Sequence, residues 1–154
     1  MAQWLLFFHL VGAFCLVSGA VVAGTLQLAA LRRERPSEIA ILLRTTRAGV
    51  LLVVLGAVLA LVFGIALASN LGYGLSPAWI QAALGLWLAS VALGALGGRT
   101  AREARHLAER LAAEGDRPSD ELRSLVAHRP SLLLSYASSV LVVAIVVLMV
   151  WRPT

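Results

Sequence analysis

The feature that most constrains this chain is an almost unbroken apolar run from Trp4 to Leu31. The run has no charged side chain, contains one imidazole at His9, and ends at the charged segment 32–35, Arg-Arg-Glu-Arg. A bilayer core of ~30 Å is crossed by ~20 apolar helical residues. Because the run is longer than that, it predicts a membrane-spanning helix that either tilts or protrudes from the bilayer.

Three further apolar stretches extend this interpretation to the whole chain. Of the 154 residues, 60% are hydrophobic and 14% are charged, and the mean hydropathy is +0.87. A soluble helical bundle would need polar outer faces on its helices, whereas these stretches are apolar on every side. We therefore predict an all-α, polytopic membrane protein, a single four-helix transmembrane domain with a cytoplasmic amphipathic helical segment between the third and fourth helices. The domain covers residues 1–154, the predicted membrane helices are about 4–31, 49–68, 78–96 and 132–151, and the cytoplasmic segment is 99–130.

The arginines predict the orientation in the membrane. All thirteen basic residues are arginine, and twelve of them lie in two segments, one between the first two apolar stretches and one between the last two. Since positive charge concentrates in cytoplasmic loops, we expect both segments in the cytoplasm, and both termini and the loop at 70–77 outside. This placement explains the net charge of +5 without a nucleic acid. The expected partners are the lipid bilayer and other membrane subunits or further copies of the chain.

Glycines on the first two helices indicate a close helix contact. Within lipid, helices associate by close packing, so small residues mark the surfaces where they meet. The first helix repeats glycine at an interval of seven residues, and the second repeats it at intervals of seven and eight. We expect these helices to form a hairpin through the helix-packing residues Gly12, Gly19, Gly49, Gly56 and Gly64.

The segment after the third membrane helix leaves two arrangements open. We expect Gly97-Gly98 to interrupt that helix, after which residues 99–114 continue as a helix with one apolar and one charged face. Such a helix either lies on the cytoplasmic membrane surface or is a cytoplasmic extension of the third helix. We expect it to end at Gly115-Asp116, because glycine breaks the helical pattern there.

A short motif occurs twice. Residues 35–38 read Arg-Pro-Ser-Glu and are followed by Arg47, and residues 117–120 read Arg-Pro-Ser-Asp and are followed by Arg129 at the same spacing. The repeat indicates either that the two halves are duplicated hairpins, or that two loops use the same residues to start a helix. Both interpretations stay open.

Within the predicted membrane zone, His9 is the strongest candidate for chemistry, since ionisable residues in membrane helices are functional candidates by default. All eight acidic residues lie in the Arg-rich segments, so we expect no catalytic residue and no proton relay in the membrane. A neutral imidazole in an apolar four-helix bundle is a usual haem ligand. His9 is thus a candidate metal ligand, to haem iron. Gly12 lies one turn deeper and is a candidate cofactor-binding residue, because a flat macrocycle could approach the backbone there. Alternatively, His9 hydrogen-bonds to a backbone carbonyl, a lipid headgroup or a partner subunit.

Several motifs spread over the chain resemble one bacterial family, an uncharacterised family of predicted integral membrane proteins known only as a domain of unknown function. The resemblance covers essentially the whole chain. That family is distantly similar to the copper-resistance-D-like group, which includes the HemJ-type protoporphyrinogen oxidases. The motifs are Trp4-x4-His9-x2-Gly12, the first loop with Arg44 and Arg47, Gly72-Tyr73-Gly74, Gly97-Gly98-Arg99, Glu114-Gly115-Asp116-x-Pro118-Ser119 and Val150-Trp151-Arg152-Pro153.

The resemblance implies a role for His9, because the HemJ-type oxidases are haem-b proteins whose first-helix histidine ligates iron. These oxidases also use a lysine in the third helix, and this chain contains no lysine. We interpret the chain as a non-catalytic accessory or structural subunit of a complex in the bacterial cytoplasmic membrane. The alternative is a haem-b-binding membrane redox protein with His9 as axial ligand. Whether it is an enzyme is left open, and a non-enzymatic role is preferred.

Overall fold

The computed structural model describes residues 2–73 and 76–151, and all regular structure in these ranges is helical. In chain order the helices are α1 (Ala2–Ala30), α2 (Pro36–Asn70), α3 (Ala78–Ala113), α4 (Asp120–Val126) and α5 (Arg129–Trp151). The first three, and the stretch Asp120–Trp151 that contains α5, are long and apolar enough to cross a membrane. The predicted all-α, polytopic fold is therefore confirmed.

The hairpin of α1 and α2 is held by direct contact between the two backbones. A Cβ atom added to Gly12 would lie 2.5 Å from the backbone nitrogen of Ala60, and one added to Gly19 would lie 2.6 Å from the carbonyl oxygen of Gly49. Real Cβ atoms do not tolerate such distances, so these positions accept only glycine without a shift of the helices. The close approach gives the pair the van der Waals contact that joins helices in lipid.

Serine hydroxyls join α3 to α5 in the second hairpin. The hydroxyl of Ser138 donates to the carbonyl oxygen of Ser90 at 2.8 Å, and the hydroxyl of Ser90 donates to the carbonyl oxygen of Ser138 at 3.2 Å. Two turns away, the hydroxyl of Ser131 donates to the carbonyl oxygen of Gly97 at 2.6 Å. Hydrogen bonds of this kind between membrane helices contribute about 0.6 kcal/mol each on average, so the second hairpin combines close packing with polar contacts.

α3 continues through Gly97 and Gly98, so the predicted interruption at this pair is wrong. A glycine inside a helix costs ~1 kcal/mol relative to alanine, which is why the pair suggests a break. Here the backbone of Gly97 packs against α5, since an added Cβ would lie 2.6 Å from the hydroxyl of Ser135. This contact outweighs the low helix propensity, and residues 99–113 form an extension of α3 rather than a separate helix on the membrane surface.

The two copies of the Arg-Pro-Ser motif begin their helices differently. Pro36 is the first residue of α2, whereas Ser119 precedes α4 and accepts a hydrogen bond from the backbone N–H of Leu122 at 3.4 Å. The helix after the first copy has 35 residues, and the helix after the second has seven. The duplication of the hairpins stays a prediction.

A buried apolar cluster joins the two hairpins at the end of the bundle that carries residues 31–48 and 99–129, which we call the Arg-rich end. It draws side chains from α1, α2, α3 and α4, and its largest fully buried side chain, Leu122, is only 1% exposed. This end therefore resembles the core of a soluble protein and fixes the hairpins to each other. The buried members are Ala30, Ile39, Ala40, Leu43, Ala104, Leu107, Ala108, Leu122 and Val126.

Candidate functional site

At the other end of the bundle, the two hairpins line a half-open cavity of about 330 Å³, which we call the hairpin cavity. Ligand pockets for small molecules have volumes of roughly 300–1,000 Å³, so the size suits an apolar ligand. None of the described residues that line it is Asp, Glu, Lys or Arg. Four of these residues have an aromatic ring: His9 from α1, Tyr73 after α2, and Trp79 and Trp87 from α3. Met149 from α5 adds a thioether sulfur.

His9 enters this cavity with one ring nitrogen already engaged. Its Nδ1 lies 2.9 Å from the carbonyl oxygen of Ala60 in α2. A carbonyl oxygen can only accept a hydrogen bond, so Nδ1 carries the proton and donates it. In the neutral ring, Nε2 then keeps its lone pair. The imidazole can offer that lone pair to a metal ion or to an O–H or N–H donor.

Gly64 makes room for the imidazole. A Cβ atom added to Gly64 would lie 3.0 Å from both Cε1 and Nδ1 of His9. One residue earlier in each helix, the rings of Phe8 and Phe63 stack with their centroids 4.9 Å apart. The stacked rings and the glycine together fix where the imidazole lies along α2. The sequence interpretation assigned Gly64 to helix packing only, and the structure adds this contact with the His9 ring.

Gly12 lies in a different environment from the one expected for a haem contact. It is buried, faces the backbone of Leu59 and Ala60 in α2, and is not among the residues that line the hairpin cavity. The space in front of Gly12 is therefore filled by α2, and a macrocycle cannot approach the backbone there. With Gly19, Gly49 and Gly56, it belongs to the contact between the first two helices.

Trp87 is a residue that the sequence interpretation did not single out. Its Nε1 atom is buried and has no hydrogen-bond partner among the described residues, and its side chain lines the hairpin cavity. A buried donor without a partner typically costs about 1–3 kcal/mol. One signal in the sequence was available, because Trp87 lies nine residues inside α3, away from the membrane interface where tryptophan is favoured.

The comparisons with known proteins identify the family. The model of the family described as "Predicted integral membrane protein (DUF2269)" matches residues 3–153. No curated protein and no solved structure matches the chain. The match confirms the resemblance to an uncharacterised membrane family, while the distant similarity to the copper-resistance-D-like group stays a prediction. Because the match spans almost the whole sequence, the chain belongs to this family of multi-pass integral membrane proteins.

Proposed function

We propose that this protein binds haem b in the hairpin cavity, with Nε2 of His9 as an axial ligand to the iron. The observation that carries the proposal is the 2.9 Å hydrogen bond from Nδ1–H of His9 to the carbonyl oxygen of Ala60. Histidines that ligate metals usually donate their other ring N–H to a carbonyl or carboxylate, which fixes the ring orientation and strengthens the ligand. The fold gives His9 this arrangement through the contact between α1 and α2.

Two other features of the cavity fit a haem. Its lining is apolar and partly aromatic, as suits a macrocycle that is itself largely apolar, and Gly64 leaves room for the imidazole. When bound, haem b supplies one-electron redox chemistry. His9 would hold the iron, and the surrounding apolar side chains would exclude water from it.

We propose haem binding and electron transfer only, and not the oxidase activity of the HemJ-type proteins. The HemJ-type oxidases use a lysine in the third helix, and this chain has no lysine. We further propose that the Arg-rich end lies in the cytoplasm and that the hairpin cavity lies in the outer half of the bacterial cytoplasmic membrane. The support for this orientation is the concentration of arginine at one end of the bundle, following the positive-inside rule.

Absorption spectroscopy tests the proposal. Protein purified from a haem-sufficient host, or reconstituted with haemin in detergent, is expected to show a Soret band at a stoichiometry of about one haem per chain, set by the one axial histidine proposed. The variant His9→Ala should lose the band. The matched control is His106→Ala, which removes an exposed histidine at the Arg-rich end and should leave the band unchanged. Wild-type protein that stays colourless after reconstitution would reject haem binding.

A second candidate function, a non-catalytic accessory subunit or a homo-oligomer, is favoured by the shape of the cavity end. The two hairpins are joined by a buried core at the Arg-rich end, whereas α1 and α5 touch only sparsely. A helix of another subunit could pack against the residues that line the cavity. Purification from native membranes in mild detergent separates the two candidates: a haem-free assembly of fixed stoichiometry supports the subunit function, and a haem-loaded monomer rejects it.

A further inference from the structure

We infer that the thioether sulfur of Met149 is the second axial ligand to the iron that His9 holds. The inference rests on the proposed function and completes its ligand set. His9 and Met149 line the same cavity, and they reach it from different hairpins, because His9 lies in α1 and Met149 in α5. A ligand bound between the hairpins would therefore have one of these side chains on each hairpin.

The position of Met149 on α5 points its side chain toward the interior of the bundle. Val142 and Ile145 are the buried apolar residues of this helix, with exposed fractions of 6% and 8%. Met149 follows Ile145 by four residues and therefore lies on the same face, one turn further along. Val143 and Val147, which are not among the cavity-lining residues, are 60% and 44% exposed. The inward face of α5 thus reaches the hairpin cavity at Met149.

The chemistry of the lining favours Met149 over the other candidates. A thioether is a neutral ligand for haem iron, and a histidine–methionine pair is an established axial set in cytochromes. Among the described lining residues, Tyr73 also has an atom that can ligate haem iron, but as a phenolate it would place an anion among apolar side chains. Its ring instead packs edge-on against Trp79, with the ring centroids 6.1 Å apart. Met149 needs no deprotonation to act as a ligand.

The test is the variant Met149→Leu, which removes the sulfur and nearly conserves the side-chain volume. Wild-type protein reconstituted with haemin is expected to be low-spin and six-coordinate, with the weak far-red charge-transfer band of an iron–thioether bond. Met149→Leu should bind the same amount of haem through His9 but become high-spin, lose that band, and show a lower reduction potential, since methionine ligation raises the potential. The matched control, Val143→Leu, changes an exposed residue of the same helix that is not among the cavity-lining residues, and it should keep the wild-type spectrum.

The possible outcomes separate this inference from the proposed function. A Met149→Leu spectrum that stays low-spin with the charge-transfer band intact overturns the role of Met149 and leaves His9 ligation standing. A wild-type protein that binds haem through His9 but is high-spin also overturns the role of Met149 and leaves His9 ligation standing. Met149 then only fills space in the core, as methionine often does. A wild-type protein that binds no haem overturns both.

Discussion

The carboxylate of Asp116 holds the first turn of α2: Oδ1 accepts a hydrogen bond from the backbone N–H of Ser37 at 2.7 Å, and Oδ2 accepts one from its hydroxyl at 2.8 Å. Ser37 is the second residue of α2, where backbone N–H groups have no partner within the helix and a negative charge interacts favourably with the helix dipole. Asp116 lies in the turn after α3, with a φ of 54°. One side chain therefore connects the two Arg-rich segments.

Stability should depend on pH through this contact. The backbone and hydroxyl hydrogen bonds from Ser37 are the main causes that lower the pKa of the Asp116 carboxyl below its ordinary value of 3.8, and the charge of Arg35 lowers it further. A lowered pKa in the folded state gives a stabilisation that is complete above the ordinary value and is lost as the pH falls below it. Asp116→Asn should therefore unfold at a lower temperature than wild type at pH 7, and this difference should shrink as the pH falls below 3.8.

Asparagine is the suitable replacement, because it tolerates the left-handed backbone at this position and keeps one acceptor oxygen for Ser37. The measurement is the unfolding temperature in detergent, followed by circular dichroism over a pH series. A difference between the two proteins that is the same at every pH would mean that the charge of Asp116 does not contribute.

The contact between α1 and α2 predicts opposite effects for two glycine-to-alanine substitutions. In Gly56→Ala, the new methyl group would overlap the backbone nitrogen of Leu16 and lie 2.6 Å from the carbonyl oxygen of Gly12. Such overpacking typically costs about 1–3 kcal/mol. Among the described residues, none lies within 4 Å of a Cβ added to Gly24, so Gly24→Ala should be neutral or stabilise α1 by up to ~1 kcal/mol through helix propensity. Denaturant titration in mixed micelles measures both, and equal effects would contradict the packing role of Gly56.

The membrane orientation predicts which cysteines react from outside the cell. In a Cys15→Ala background, Ser76→Cys and Ser124→Cys each place one thiol at an exposed position, at the cavity end and the Arg-rich end respectively. A membrane-impermeant maleimide added to intact cells should label the first and reach the second only after lysis. Labelling of Ser124→Cys in intact cells would place the Arg-rich end outside and reverse the proposed topology.

The membrane helices were predictable because each is a long apolar run, and length and composition alone determine that such a run is helical in lipid. The continuity of α3 was not, because the favourable contact of Gly97 with Ser131 and Ser135 depends on a helix more than thirty residues away. Helix propensity depends on the local sequence alone, so it predicts a break at Gly97 and Gly98. The contact with α5 compensates for that low propensity, and the helix continues.

The surroundings of His9 show the same limit. The histidine itself was apparent as the ionisable residue of the first helix, but its partners depend on the register between α1 and α2. The contacts of Gly12 with Ala60 and of Gly19 with Val53 set that register, and it brings His9 beside Gly64. A glycine stripe in one sequence indicates that two helices meet and does not specify which residues face each other.

Gly64→Ala should weaken haem binding without removing a ligand. The added Cβ would lie 3.0 Å from Cε1 and Nδ1 of His9, so the imidazole must move by a few tenths of an ångström, and we expect this shift to weaken its hydrogen bond to Ala60. Loss of a partner that orients a metal-bound histidine typically lowers metal affinity about 10- to 100-fold, and we expect an increase in the haemin dissociation constant in that range. The control is Gly85→Ala in α3, where an added Cβ has no neighbour within 4 Å in the part of the chain that the structure describes. Titration of the apoprotein with haemin, followed at the Soret band, gives both constants. If Gly64→Ala binds haemin as tightly as Gly85→Ala, the orientation of His9 by α2 is not what determines the affinity.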